Sequence, residues 1–224
     1  TACFEAHRGG IRVATHCEST EGMREALQGG VDTIEHGAAI PDDLVPLFKN
    51  NPKSMLGHTA LVPTLSAGMG LSVLPTEETK ITPVKRENAE LIEVGMIKGL
   101  RKAREEGIRI GVGTDASVPY SPHYEVWKEL KYLVKYTGMS RQEAIYLATE
   151  NNARLLNVDE FTGSIKAGKY ADLQVVPGNP LAGLDYLGQV EMVFMKGSWI
   201  KNPSVKKVKK LQQAPISGII ELED

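Results

Sequence analysis

Apolar residues in the first 156 positions of the chain follow two different spacings. Four short runs rich in Val, Ile and Thr have the length and composition of buried strands: residues 11–16, 31–36, 59–65 and 108–115. The longer segments between them repeat apolar residues at the helical spacing. Strands that alternate with helices predict a parallel sheet with right-handed crossovers. Four such units fit either an open four-stranded sheet or half of an eight-stranded barrel.

Several predicted helices have residues that are typical of helix ends, whereas one long connection has none. Glycines close a helix over residues 19–30, and a short helix begins at Pro41 with two acidic residues in its first turn. Residues 140–143 have the spacing of a capping box. Residues 66–83 are rich in Gly, Ser and Thr, which predicts a long loop that could form a lid or a pocket wall.

The pattern changes near residue 157. Residues 162–180 and 188–202 contain short alternating runs punctuated by Gly and Pro, which indicates a small antiparallel sheet. The basic cluster "SVKKVKK" follows, and we interpret it as a solvated tail. The sequence therefore predicts three parts: a partial barrel at 1–157, part of a β-sandwich at 158–203 and a tail at 204–224.

The composition is that of an ordinary globular protein. The chain has 224 residues, of which 42% are hydrophobic and 24% charged, with a formal net charge of −2. This balance gives no support for nucleic-acid binding, and no apolar run reaches the ~18–20 residues of a membrane span. The two cysteines predict free thiols and favour a cytoplasmic location. The first residues resemble the middle of a helix, so we expect the natural N-terminus to lie upstream.

Three predicted strands end in a polar residue that can bind metal. His16, His36 and Asp115 occupy these ends, 20 and then 79 residues apart, which matches no local zinc-finger spacing. The carboxyl ends of parallel strands meet at one edge, where active sites of α/β proteins lie. Two imidazoles and a carboxylate are good ligands for a divalent metal such as zinc. On the residues alone, three unrelated polar strand ends stay an open alternative.

Strand alternation assigns faces to the residues around these ends. Asp115 shares its face with the two glycines of "GVGTD", which we expect to leave space for a ligand at the metal. Alternation directs Glu35 toward the helices, so a structural role is expected for it. It also places Cys17 on the face opposite His16, where a thiolate ligand is not expected.

Several motifs in order along the chain resemble the metal-dependent amidohydrolase superfamily. They are "VATHCES", "GMREALQGGVDTIEHG", "GVGTDAS" and "TGSIKAGKYADLQVVPGNPL", and the likeness runs from about residue 3 to residue 202. Within the superfamily the motifs are most similar to the imidazolonepropionase-like and Xaa-Pro dipeptidase-like branch. The resemblance implies a (β/α)8 barrel, of which this chain supplies strands five to eight, beside a β-sandwich built from both chain ends.

The resemblance also implies residue roles. It places His16, His36 and Asp115 at the ends of strands five, six and eight. In binuclear members the two histidines bind one metal, while the aspartate binds the other and acts as general base. His123 matches a loop position that lines the substrate pocket, and Tyr120 is a second candidate for the pocket mouth. One or two divalent ions, with zinc expected, are therefore implied.

The sequence departs from the family pattern in what it lacks. The strand-one His-x-His pair and the strand-four lysine are absent, so the chain resembles a C-terminal fragment. We expect the complete protein to hydrolyse amide or peptide-like C–N bonds in small molecules or dipeptides, and the fragment to be inactive alone.

Two alternatives stay open. One is a mononuclear imidazolonepropionase- or deaminase-like enzyme, in which His16 and Asp115 bind one metal and His36 contacts substrate. The other is a non-catalytic half barrel that pairs its open edges with a second copy or with a complementary N-terminal segment.

Overall fold

The structure, a computed structural model, describes residues 1–206. The strands are β1 (Ala14–Cys17), β2 (Thr33–His36), β3 (Ala60–Val62), β4 (Leu173–Val175), β5 (Met192–Met195) and β6 (Ser198–Ile200). The α-helices are α1 (Ala2–Arg8), α2 (Thr20–Gly29), α3 (Val45–Lys49), α4 (Ser66–Val73), α5 (Thr76–Thr79), α6 (Pro83–Glu106), α7 (Val126–Thr137), α8 (Arg141–Tyr146) and α9 (Asn152–Leu155). Two 3-10 helices span His123–Glu125 and Leu184–Gly188, and a π-helical turn (Leu147–Asn151) joins α8 to α9.

The first three predicted strands form a parallel sheet in the order β1-β2-β3. The fourth is reduced to one parallel bridge between Leu61 and Ile110, so a full strand over residues 108–115 was a wrong prediction. On the side away from β3, the backbone of this segment forms hydrogen bonds with side chains rather than with a strand. Asn151 donates to the Ile110 carbonyl at 2.8 Å, and Asn152 bonds both the amide and the carbonyl of Val112 at 2.9 and 2.8 Å.

The core lies between this sheet and the helices. Ile34 and Leu61 are fully buried and Ile108 and Ile110 are nearly so, which shows that the sheet face carrying them packs under the helices. The helix predicted over residues 19–30 ends where its glycines place it. Gly30 takes the left-handed conformation after α2, with φ at 89°, and Gly107 does so after α6, with φ at 69°. Because one face of the sheet packs against the helices, a functional site would have to lie on the opposite face or at an edge of the sheet.

One predicted helix begins later than its sequence signals suggest. Residues 41–44 form a turn, in which the Leu44 amide donates to the Pro41 carbonyl at 3.0 Å, and α3 begins at Val45. The reason is Pro46, which lacks an N–H and fits only the first turn of a helix. A helix that began at Pro41 would carry Pro46 in its second turn.

The segment predicted as a long loop, residues 66–83, contains helices α4 and α5, so that prediction was wrong. Distant residues stabilise the ends of α4. The carboxylate of Glu129 accepts hydrogen bonds from the amides that begin the helix, and the Arg86 guanidinium donates to the carbonyls of Ser72 and Leu74 at 2.8 and 2.7 Å. Helix termini need such partners, and local composition does not reveal them.

Asp32 anchors the end of the sheet away from the candidate site. Its buried carboxylate accepts hydrogen bonds from the Val13 amide, the Ser54 hydroxyl and the Met55 amide, each at 2.7 Å. His7 bonds the same carboxylate at 2.9 Å. Burial opposes ionisation, but the hydrogen bonds outweigh it and lower the pKa of Asp32. This aspartate is therefore structural.

Strands β4, β5 and β6 form the antiparallel sheet predicted near the C-terminus, in the order β4-β5-β6. Division of the chain into barrel, sandwich and tail stays a prediction, and most of the tail, residues 207–224, lies outside the described residues. Within residues 1–206 no helix is long and apolar enough to cross a bilayer. The cytoplasmic location also stays a prediction.

Candidate metal centre

The rings of His16 and His36 meet at the carboxyl edge of the parallel sheet. Their centroids lie 4.6 Å apart in an edge-to-face arrangement. Simple alternation would place His36 on the same face as Ile34, which is in the helix-packed core. His36 has a φ of 70°, however, which breaks the alternation and returns its ring to the side of His16. The structure therefore brings the two predicted histidines together by a conformation that the sequence does not reveal.

Glu18 is the carboxylate that joins these histidines. The potential ligand atoms of His16, Glu18 and His36 all lie within 4.8 Å of one another. The Glu18 carboxylate is 4.0 Å from His16 Nε2 and about one third exposed, at 34%. No role for Glu18 was predicted from the sequence. Its position two residues after His16, on the same side of an extended chain, was the available signal.

The His36 ring also contacts a hydroxyl group. Its Nδ1 lies 2.6 Å from the hydroxyl of Thr64, just beyond β3. Burial and the nearby His16 lower the pKa of His36, while Glu18 and Asp115 act in the opposite direction. With Nδ1 engaged by Thr64, Nε2 is the nitrogen left to bind metal.

Asp115 lies beside this group rather than within it. Its side chain is exposed, and its φ of 48° places it in the left-handed region. Its charge acts on both His36 and Glu35. The two glycines that precede it do not leave open space, contrary to prediction. An added Cβ at Gly113 would come within 2.9 Å of Val62, and one at Gly111 within 3.0 Å of both Val62 and Leu155.

Glu35 lies on the sheet face opposite the fully buried Ile34, so its expected orientation toward the helices was wrong. It pairs in register with His16 and Val62, and it accepts a hydrogen bond from the Thr33 hydroxyl at 2.6 Å. Burial and the charge of Asp115 raise the pKa of Glu35. Cys17, by contrast, belongs to the buried core on the other face, as expected.

The two predicted substrate residues lie in different surroundings. Tyr120 packs on α4, where an added Cβ at Gly70 would lie 2.5 Å from Tyr120 Cβ, and its hydroxyl donates to the Glu78 carbonyl at 3.2 Å. His123 lines a cavity of about 990 Å³ between the start of α7 and the antiparallel sheet. Their roles in substrate binding stay predictions.

Two buried carboxyl groups beneath α4 escaped sequence reasoning. Glu93 of α6 and Glu129 of α7 are both fully buried. Burial, with repulsion from Glu129, raises the pKa of Glu93 well above its ordinary value, and burial raises the pKa of Glu129 to about 7. The missed signal was helical spacing, because Glu93 shares a helix face with Met96, Ile97 and Leu100.

The donor set suits a divalent metal. Two imidazoles and a carboxylate are a common zinc combination, and ligands at about 2.1 Å from a tetrahedral zinc lie about 3.4 Å apart. The observed 4.8 Å spread of His16, Glu18 and His36 therefore needs only small side-chain rotations. His16 is 69% exposed, so the site is open to further ligands on the side of His16. The residues present fit the metal that the sequence motifs imply.

Comparison with solved structures shows the same α/β fold over about half the length of each neighbour. A protein of Bifidobacterium longum proposed to be a prolidase is 44% identical, with a TM-score of 0.90, and the match covers 93% of this chain and 51% of that one. A Xaa-Pro dipeptidase with bound methionine in the active site is 36% identical, with a TM-score of 0.75 and coverage of 87% and 46%.

Sequence comparison gives a consistent result. The imidazolonepropionase of Picrophilus torridus is 36% identical over 86 residues, which is 38% of this chain and 22% of that protein. The model of the amidohydrolase family matches residues 1–200. That match covers both the parallel sheet with its histidines and the antiparallel sheet that follows. The chain therefore belongs to the amidohydrolase family.

Proposed function

We propose that the complete protein is a metal-dependent hydrolase that cleaves an amide or peptide C–N bond in a small substrate. The observation that carries the proposal is the approach of the His16 and His36 rings to 4.6 Å at the carboxyl edge of the sheet. The Glu18 carboxylate lies beside the two rings, and the charge of Asp115 acts on His36. The family match supports hydrolysis, and the half barrel with strands five to eight is part of the same proposal.

The residues of this chain would divide the work as follows. His16 and His36 would hold the metal, with Glu18 or Asp115 as the carboxylate ligand. The metal supplies Lewis acidity, which lowers the pKa of water and polarises the scissile carbonyl. Asp115 would accept the proton of the attacking water and pass it to the leaving amine. Its exposure and proximity to the histidines suit that task.

The substrate class is proposed from the named relatives. Two solved structures that exceed 35% identity are described as a proposed prolidase and a Xaa-Pro dipeptidase. Both names describe proteins that act on dipeptides with a C-terminal proline. We therefore propose dipeptides as the substrate class, with Xaa-Pro dipeptides first.

The complete protein should bind divalent metal and hydrolyse members of a small panel. The test is metal analysis after purification, followed by assays with Zn²⁺ or Co²⁺ on Xaa-Pro dipeptides, other dipeptides, N-acyl amino acids and cyclic amides. A His16→Asn, His36→Asn double variant is the control and should lose both metal and activity. A wild-type protein that neither retains nor takes up metal would contradict the proposal.

Metal stoichiometry separates two versions of this function. About two ions per chain would support the binuclear arrangement, in which the histidines share one ion and Asp115 binds the other. One ion, with activity on a cyclic amide or an amino-substituted ring, would support the imidazolonepropionase- or deaminase-like alternative. That alternative draws on the 36% identity to an imidazolonepropionase.

A second candidate function follows from the edge of the parallel sheet. Within residues 1–206 only β2 pairs with β1, and Ala14 and His16 on β1 are exposed. Such an edge favours pairing with another chain. If the chain is an assembly module, analytical ultracentrifugation of this polypeptide alone should show a concentration-dependent dimer. A stable, compact monomer would count against this candidate.

A further inference from the structure

Thr64 has a backbone conformation that threonine seldom adopts. Its φ is 46°, in the left-handed region that disfavours β-branched side chains. The residue is 3% exposed, and its hydroxyl oxygen lies 2.6 Å from His36 Nδ1. Its methyl group packs toward Gly113, where an added Cβ would lie 3.3 Å from Thr64 Cγ2. A strained, buried residue that contacts His36 and packs toward Gly113 points to a role beyond packing.

The carboxylate of Glu129 fixes the residues that follow Thr64. It accepts hydrogen bonds from the amides of Leu65 and Ser66 at 2.8 and 2.7 Å, and from the Ser66 hydroxyl at 2.6 Å. Glu129 is fully buried on α7. The start of α4 cannot shift without leaving these groups unpaired in the interior, which is costly. Thr64 is therefore held against His36.

We propose that Thr64 is a positioning residue that sets the tautomer and ring orientation of His36. The Nδ1–H of His36 donates to the Thr64 hydroxyl oxygen, and the lone pair of Nε2 stays available to a metal ion. The inference rests on the proposed metal-dependent function. Outer partners of this kind orient a metal-binding histidine, and their removal typically weakens metal affinity roughly 10- to 100-fold.

Two substitutions separate the hydroxyl from the shape of the residue. Thr64→Val keeps the β-branched shape and removes the hydroxyl, whereas Thr64→Ser keeps the hydroxyl. In the complete protein we expect Thr64→Val to weaken Zn²⁺ affinity roughly 10- to 100-fold and Thr64→Ser to stay close to the wild type. Competition with a chromophoric chelator measures the affinity.

Thr59→Val is the matched control for loss of a buried hydroxyl. Thr59 is fully buried at the other end of β3, and its hydroxyl donates to the Val31 carbonyl at 2.7 Å. This variant should lose thermal stability while its Zn²⁺ affinity is retained. An equal loss of affinity in Thr59→Val and Thr64→Val would show a general effect on folding and would overturn the positioning role.

A measurement on the metal-free protein tests the tautomer directly. With ¹⁵N-labelled histidine at pH 8, the His36 signals should show a protonated Nδ1 and an unprotonated Nε2 in the wild type and in Thr64→Ser. Thr64→Val should show a mixture of tautomers. Assignment follows from the spectrum of His36→Asn.

The two measurements fail in distinguishable ways. If the wild type binds no Zn²⁺, the proposed function fails, and the tautomer of metal-free His36 still decides the role of Thr64. Wild-type Zn²⁺ affinity in Thr64→Val, or an unprotonated Nδ1 in the wild type, overturns the inference even if the metal function holds.

Discussion

Asp115→Asn in the complete protein should lower turnover by about two to four orders of magnitude, the usual contribution of general acid–base catalysis. The amide is nearly isosteric with the carboxylate but cannot accept the proton of the attacking water. The fold should survive, because the Asp115 side chain is exposed. Metal content should fall only in part, since His16 and His36 are unchanged. Turnover number, melting temperature and metal content are measured on one preparation.

Asp185→Asn provides a matched control. Asp185 is also an exposed carboxylate, at 60% exposure, and it pairs with Lys131 on α7. Loss of such a surface pair has a small effect on stability, so this variant should keep normal turnover. If Asp115→Asn loses stability but keeps near-normal turnover per folded molecule, Asp115 is a structural carboxylate and its catalytic role is wrong.

Glu93→Gln should stabilise the protein at pH 8 and change its stability little at pH 4. The Glu93 carboxyl is fully buried beneath Gly68, and neither oxygen has a well-formed hydrogen bond to any residue from 1 to 206. Burial, and then repulsion from Glu129, raise the pKa of Glu93. At pH 8 we expect a gain of about 3 kcal/mol, the scale of an uncompensated buried charge.

The sign follows from proton binding in the two states. A carboxyl whose folded pKa is raised keeps its proton where the unfolded chain has released it. Stability therefore falls as pH rises above the unfolded value near 4.5, by up to about 1.4 kcal/mol per pH unit for each such carboxyl. For Glu129 this fall in stability ends near pH 7, because burial raises the folded-state pKa of Glu129 to about 7. The folded-state pKa of Glu93 is raised well above 4.5 as well, so Glu93 contributes to the same fall. Below pH 4.5 both states hold the protons, and the variant should match the wild type.

Urea unfolding at pH 4, 6 and 8 measures the effect. Glu87→Gln is the control, because Glu87 is an exposed glutamate on the same helix. It should show no pH-dependent gain. A stability difference between Glu93→Gln and the wild type that is equal at pH 4 and pH 8 would contradict a titrating buried carboxyl.

Local patterns predicted most of the elements of this fold. Gly30 caps the C-terminal end of α2. At the N-terminal end, the Ser19 side chain accepts a hydrogen bond from the Gly22 amide, which is the usual role of serine at this position. Patterns failed where partners are distant in sequence. Helix α4 depends on Glu129 and Arg86, and the expected fourth strand is bonded at its edge by asparagine side chains. Such contacts leave no local periodicity to read.

The sequence by itself determined the family motifs, the alternation of strands and helices, and the two strand ends at His16 and His36. These follow from residue type and spacing, which act locally. Only the tertiary structure decided which groups meet. The positive φ of His36 turns its ring toward His16, Glu18 joins them, and Thr64 engages His36. Backbone strain of this kind is sustained by contacts across the fold, so no stretch of sequence encodes it alone.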